Sequence, residues 1–287
     1  MPEDRVHRRH MKSRTKKCLK KSGGFYLDKK NGWRVWARRG WNTEELFAAI
    51  DGHKNILAEG NEGLIKDDRR TAITLFTYMK TRICVKEYRY KGALRRLKEI
   101  VRRSKAQKGW LQGNGLVVKG IAGFTPLALL ELKKLRIPQN AFLIMESPPE
   151  YVEFRKYIKD TFENPRHQRG KKKAFIKELA DFMTRLYRLK IAHRDLKISN
   201  ILVKEDGNTW SFALTDWEDI RQDKKISDKR LIKELVQLNT STPFFVSIKD
   251  RLTFLTAYFS LLGRVDTRAV YKEVMKDSEK RGWPAFS

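Results

Sequence analysis

Three oxygen-bearing side chains, Asp195, Asn200 and Asp216, are set around two apolar runs, Ile201-Leu202-Val203 and Phe212-Ala213-Leu214. The first two belong to the polar segment His193-Arg194-Asp195-Leu196-Lys197-Ile198-Ser199-Asn200, which leads into the first run, and the third follows the second run. Such a set suits the handling of a nucleotide's phosphate tail. That tail carries several negative charges, so two or more oxygen ligands must hold Mg2+ against it, and one carboxylate must be left to orient an attacking hydroxyl. The bland reading, a polar turn after a helix, leaves the spacing and the downstream carboxylate unexplained.

The interval from Asp195 to Asn200 is that of the catalytic loop H-R-D-x-x-x-x-N of protein-kinase-like phosphotransferases, and Asp216 falls where their second metal-holding aspartate belongs. An enzyme using ATP and Mg2+ is therefore expected. Asp195 would act on the proton of the acceptor hydroxyl, Asn200 and Asp216 would hold the metal, and Lys197 would neutralise charge on the transferring phosphoryl group. His193 and Arg194 are expected to pack and orient the loop. Asp216-Trp217-Glu218 departs from Asp-Phe-Gly: Trp217 still packs as an aromatic, but without glycine the turn is less free to flip.

The flanking patterns predict an α+β, bilobal protein-kinase-like fold with a β-rich N-lobe over 25–146 and a helical C-lobe over 147–287, preceded by a mobile basic tail over 1–24. Gly32 to Ala37 alternates as a strand, and Asn42 to Phe47 reads as a cap and a short helix. Three strand-type runs follow at 64–66, 72–76 and 82–88, then a helical pattern from Lys91 to about Val118, and two more strands at 127–130 and 141–145. After Pro148-Pro149, Phe175, Leu179, Phe182, Met183, Leu186 and Leu189 form an apolar helical stripe running into His193, with later helices around 227–239, 247–263 and 266–281.

Lys86 ends an apolar strand that precedes a helix, the slot in which this fold places a lysine gripping ATP phosphates. The covering loop is not glycine-rich. Asp67-Asp68-Arg69-Arg70-Thr71 fills that turn, so backbone amides, Arg69, Arg70 and Thr71 would have to cradle phosphate, unless the turn is simply an exposed charged hairpin. Met145-Glu146-Ser147-Pro148 is the expected hinge, with Glu146 and Pro148 flanking the adenine; Pro148 lacks an N–H, so one usual donor is absent or shifted.

Lys+Arg total 63 against 34 Asp+Glu, a formal net charge of +29. This surplus draws anions, whether nucleic acid, lipid head groups or a polyanionic substrate, or it is only a solvated surface. Cys18 and Cys84 show no metal-ligand spacing and suggest a reducing compartment. The basic stretch Met1 to Lys21 has no apolar core, and nowhere is there an apolar run of about 18 residues, so neither signal-directed export nor a membrane span is expected.

Ser104-Lys105-Ala106-Gln107-Lys108-Gly109-Trp110, Gly120 to Leu129, the His193 to Asn200 loop and Arg251 to Tyr258 together resemble the bacterial lipopolysaccharide kinases. The resemblance spans residues 64 to 262. It implies phosphorylation of heptose or Kdo in the lipopolysaccharide inner core with ATP and Mg2+ at the cytoplasmic face of the inner membrane, and it gives Lys86, Asp195, Asn200 and Asp216 their family roles. One departure is that the Ser104 to Trp110 segment holds no glutamate to pair with Lys86. A sugar acceptor also fits the residues directly: no Ala-Pro-Glu follows Asp216, and no long activation segment fits before the helix near 227, leaving little room for a peptide platform. The expected partners are ATP, a phosphoglycolipid acceptor and an anionic membrane surface reached through the basic tail. The rivals are a small protein kinase, a non-catalytic pseudokinase and a nucleic-acid-binding protein, the last supported by charge alone.

Overall fold

The computed structural model describes residues 15–60, 62–90, 103–134, 137–163, 169–263 and 267–282. The chain divides into two units, Met1–Pro149 and Glu150–Ser287.

The first unit is built on one antiparallel sheet. Its strands are β1 (Phe25–Lys30), β2 (Trp33–Arg38), β3 (Leu64–Asp67), β4 (Thr71–Tyr78), β5 (Thr81–Arg89), β6 (Thr125–Lys134) and β7 (Ile137–Glu146), in the order β1-β2-β6-β7-β5-β4-β3. Strand β1 is absent from the sequence reading. It pairs with β2 through Asn31-Gly32, whose φ values of 51° and 79° are what a two-residue hairpin turn with right-handed strand twist requires.

Helix α1 (Thr43–Glu59) is 17 residues long, where a short helix is expected from the sequence. Asn42 accepts the Glu45 N–H, the Glu45 carboxylate returns to the Asn42 N–H, and Gly60 stops the helix at φ 64°. Leu46, Ala49 and Ile50 bury against Val35, Ala37, Val85, Leu130, Phe142 and Ile144 on one face of the sheet.

Helix α2 (Lys105–Val118) packs on β6 and β7. By cross-strand register Lys86 is level with Leu143 and Leu129, and Tyr88 with Ala141 and Glu131, so all six share the face opposite α1. Glu131 is fully buried there. The Ser104 hydroxyl donates to its carboxylate, Gln107 Nε2 donates at 2.6 Å, and Lys133 Nζ lies at 3.2 Å. This carboxylate thereby fixes the start of α2 on the sheet, and removing it strands a buried hydroxyl and amide. Glu131→Ala is expected to destabilise folding by about 3 kcal/mol, with Glu131→Gln losing less. Urea unfolding measures it, and a loss under about 1 kcal/mol would move the anchoring role elsewhere.

Order begins earlier than the expected mobile tail allows. Cys18 is fully buried in a 3₁₀ turn (Lys17–Leu19), and its carbonyl accepts the Trp110 indole N–H at 3.0 Å. A buried indole needs an acceptor, and a short apolar thiol fits beside it. Burial pushes the Cys18 and Cys84 thiols up to about 12, so both behave as small apolar side chains. The helical expectation over 91–102 lies outside the described residues.

The second unit holds β8 (Val152–Glu153), α3 (Phe154–Phe162), α4 (Arg169–Arg188), β9 (Ile191–His193), β10 (Ile201–Asp206), β11 (Thr209–Leu214), β12 (Ile220–Gln222), α5 (Asp228–Ser241), α6 (Ile248–Leu262) and α7 (Thr267–Glu279). Its core gathers Phe154, Tyr157, Phe162, Phe175, Trp210 and Phe212, with ring centroids 5.3–6.3 Å apart. Among the described residues no helix is long and apolar enough to cross a membrane.

Candidate active site

Two strand pairs hold the loop of the second unit. The β10–β11 hairpin sets Ile201 opposite Leu214, and the Thr215 N–H donates to the Asn200 carbonyl at 3.0 Å. Strands β9 and β12 set His193 opposite Ile220, and the Arg194 N–H donates to the Asp219 carbonyl at 2.9 Å. Residues 193–200 and 215–220 are thus laced together.

His193 is the pivot. Its Nε2 lies 3.0 Å from the Thr215 carbonyl, and its Nδ1 lies 3.2 Å from the Asp195 N–H. A carbonyl on one side and an N–H on the other demand the neutral ring with its proton on Nε2. Burial holds the imidazole below the usual histidine range, against the pull of the carboxylates of Asp216, Asp219 and Asp195. The orienting role expected for His193 has its geometry in these bonds.

Around that ring the Asp195 carbonyl accepts the Lys197 N–H (3.0 Å) and Asn200 Nδ2 (2.8 Å), while Lys197 Nζ is 3.0 Å from the Asp195 carboxylate. With its nitrogen engaged there, the Asn200 amide has its oxygen as the end that could take a cation. Asp216 has φ 50° and ψ 51°, a left-handed backbone that an aspartate adopts at a cost and that clusters at functional sites. Trp217 is buried and donates its indole N–H to the Leu214 carbonyl at 2.8 Å, taking the aromatic slot after the aspartate.

Helix α5 braces the loop, a role the sequence reading missed. Arg230 donates to the His193 carbonyl and, at 3.0 Å, to Glu234, whose carboxyl is pushed up to about 7 by burial against the pull of Arg230. The Ser241 hydroxyl accepts the Ile198 N–H at 3.0 Å. The signal was present as polar residues 230, 234, 237 and 241, which fall on one face of the helix beside the apolar stripe of Leu231, Leu235 and Leu238.

In the first unit Lys86 is buried on β5, its ammonium 5.3 Å from the Tyr88 ring centroid. The turn of Asp68 to Arg70 lies toward the Lys86 end of the sheet and Glu146 toward the other: Lys86 pairs with Ile73, Ile83 with Glu146. The turn and the hinge segment each have backbone amides already engaged. Asp68 Oδ1 accepts the Arg70 N–H (2.6 Å) and the Thr71 N–H (2.8 Å), bonds that with Lys66 hold its carboxyl down to about 2. These amides are therefore engaged inside the turn, and Arg89 pins the turn through Asp67 and the Asp68 carbonyl. What the turn presents outward are the exposed side chains of Arg69 and Arg70. At the hinge the Ser147 N–H donates to the Arg82 carbonyl at 2.8 Å, and neither Pro148 nor Pro149 has an N–H. The Ser147 amide is thus engaged within the sheet end, and 148–149 have none to offer.

Among the described residues no three His, Cys, Asp or Glu side chains gather as a self-sufficient metal cage. Asn200 and Asp216 supply two oxygen donors, which fits Mg2+, an ion held by one or two carboxylates together with substrate phosphates and water.

The profile of the lipopolysaccharide kinase (Kdo/WaaP) family matches residues 67–258, a span that contains every site residue named above. A solved structure described as "WaaP in complex with acyl carrier protein" matches with TM-score 0.58 at 19% identity, covering 86% of this chain and 98% of that chain. At that identity the likeness is one of fold, and it is the α+β kinase fold expected from the sequence. Comparison with curated proteins gives no match. The family match over two thirds of the chain, on a catalytic loop of this construction, decides the matter: the chain belongs to the lipopolysaccharide kinase (Kdo/WaaP) family and is an ATP-dependent phosphotransferase acting on sugar of the lipopolysaccharide core.

Proposed function

We propose that the enzyme transfers the terminal phosphoryl group of ATP to a hydroxyl of heptose or Kdo, with the 193–216 segment performing the transfer. The observation that supports this reading best is the lacing of residues 193–200 to 215–220 through His193, which brings the segments carrying Asp195, Asn200 and Asp216 together.

Asp195 orients that hydroxyl and takes its proton as the new P–O bond forms. Lys197, already beside Asp195, offsets charge on the transferring group. Asn200 and Asp216 hold Mg2+, which when bound screens the phosphate oxygens from one another. Lys86 grips the phosphates, with the Arg69 and Arg70 side chains as their outer contacts in place of backbone amides, and Thr71 supporting the turn. Around Glu146 to Pro148 the adenine amine donates to backbone carbonyls.

The acceptor is anchored in a bilayer, so we place the enzyme at the inner face of the cytoplasmic membrane. Arg5, Arg8, Arg9, Lys12 and Arg14 are the natural contact with anionic lipid, each adding about 1 kcal/mol near such a surface. Because Cys18 packs under Trp110, a truncation that tests this must stop before Thr15. An apolar cavity walled by Phe154, Ile158, Phe162, Phe175, Leu179 and Phe254 suits a hydrocarbon chain. With the acyl carrier protein of the solved relative as precedent, we read such a carrier as a further partner.

Incubation with labelled ATP and, separately, core lipopolysaccharide, casein and duplex DNA tests the reading. Label is expected in the lipopolysaccharide alone, and only when Mg2+ is present; label in casein would restore the protein-kinase alternative. In the same assay, removing residues 1–14 is expected to raise KM for acceptor in phosphatidylglycerol vesicles and leave kcat on a soluble core fragment unchanged.

A further inference from the structure

Gln237 reaches the catalytic loop from α5 at three points. Its Oε1 accepts the Leu196 N–H at 3.2 Å, its Nε2 donates to the Arg194 carbonyl at 3.0 Å, and the same nitrogen lies 3.4 Å from Asp195 Oδ1. Among the described residues the Asp195 carboxylate has Gln237 at Oδ1 and the Lys197 ammonium 3.0 Å from both oxygens, and of these two Gln237 alone is also tied to the backbone on either side. The Asp195 side chain is 39% exposed, so packing alone does not hold it, and the terminal torsion of a carboxylate is broad. A carboxylate that turns freely presents an oxygen to the acceptor only part of the time, and misplacement by an ångström costs heavily in transfer.

We propose that Gln237 is a positioning residue for phosphoryl transfer, holding the peptides on either side of Asp195 and one of its oxygens so that the other stays aimed at the acceptor hydroxyl. This rests on Asp195 being the orienting carboxylate. A primary amide is the group the geometry demands. It donates and accepts at once, which the Arg194 carbonyl and the Leu196 N–H require together. Glutamate in its place sets an acceptor against the Arg194 carbonyl and a second negative charge beside Asp195. Methionine keeps the length and loses both bonds. Asparagine is one methylene short of the loop.

The test is a double-mutant cycle on the full chain, with core lipopolysaccharide as acceptor. Gln237→Met is expected to lower kcat by about 10- to 100-fold while KM for ATP stays within about twofold, and Gln237→Glu to lower it further. In the Asp195→Asn background the same Gln237→Met change is expected to cost less than about threefold, because the group it positions is already gone. Melting temperature and ATP affinity of the single variants separate positioning from loose folding, with Gln237→Ala as the substitute should the methionine variant be insoluble. An unchanged kcat, a loss shared equally by ATP affinity, or additive losses in the double variant would each overturn the proposal. Wild-type turnover by Asp195→Asn would remove the reading beneath it, whereas an inactive Asp195→Asn beside a fully active Gln237→Met removes this inference alone.

Discussion

Asp195→Asn is expected to reduce transfer to lipopolysaccharide core by on the order of 10²-fold or more while ATP binding stays near wild type. The substitution keeps size and shape and removes the charge, and with it the capacity to accept a proton and the ion pair with Lys197. The backbone contacts that place residue 195, its N–H on His193 and its carbonyl on Asn200, do not involve the altered atoms. The loop should therefore keep its form, which a wild-type melting temperature would verify. Single-turnover measurements with labelled ATP read the chemical step, and calorimetry reads nucleotide affinity. Substantial turnover would take Asp195 out of the chemistry, and a parallel loss of ATP affinity would make it part of the nucleotide site.

Asp216→Ala is expected to abolish detectable transfer and to weaken binding of Mg2+-ATP far more than binding of metal-free ATP, since its carboxylate is assigned to the cation. The substitution has a second effect with the opposite sign for discriminating purposes: alanine tolerates φ 50° less well than aspartate, so some loss of stability accompanies it. Asp216→Asn separates the two, because asparagine accepts the left-handed backbone and keeps an oxygen while losing the charge. Titration of both variants with and without Mg2+ decides the assignment. Equal weakening in both conditions would remove residue 216 from the metal site.

Much of this could be read from the residues. The loop spacing, the strand runs at 64–66, 72–76 and 82–88 and the apolar stripe of α4 each carry a local period that the structure keeps. What escaped depended on longer-range or subtler chemistry. Strand β1 hid because Asp28, Lys29 and Lys30 give it a largely exposed, polar end, although Asn31-Gly32 announced the hairpin. Helix α1 looked short because its second half carries Asp51, His53, Lys54 and Asn55; His53 is in fact buried, bonded to Thr74 at 2.7 Å. The engagement of the turn's amides was not legible because Asp68 reads as a charge, whereas in the fold it is an acceptor for two amides. The bracing of the loop by α5 joins residues about forty positions apart, a relation no local period displays.

The proposed seating of the base at Glu146 to Pro148 has a consequence for which purine the enzyme accepts. The Ser147 amide is engaged and the next two residues are prolines, so that segment has only carbonyls left to offer from its backbone. Under this proposal an amino group at the purine 6-position would find a partner there, while a keto oxygen would meet another oxygen. Guanine and hypoxanthine nucleotides should be poor phosphate donors for this enzyme, and inhibitors built around a hinge-accepting heterocycle should bind it worse than those that lead with a donor.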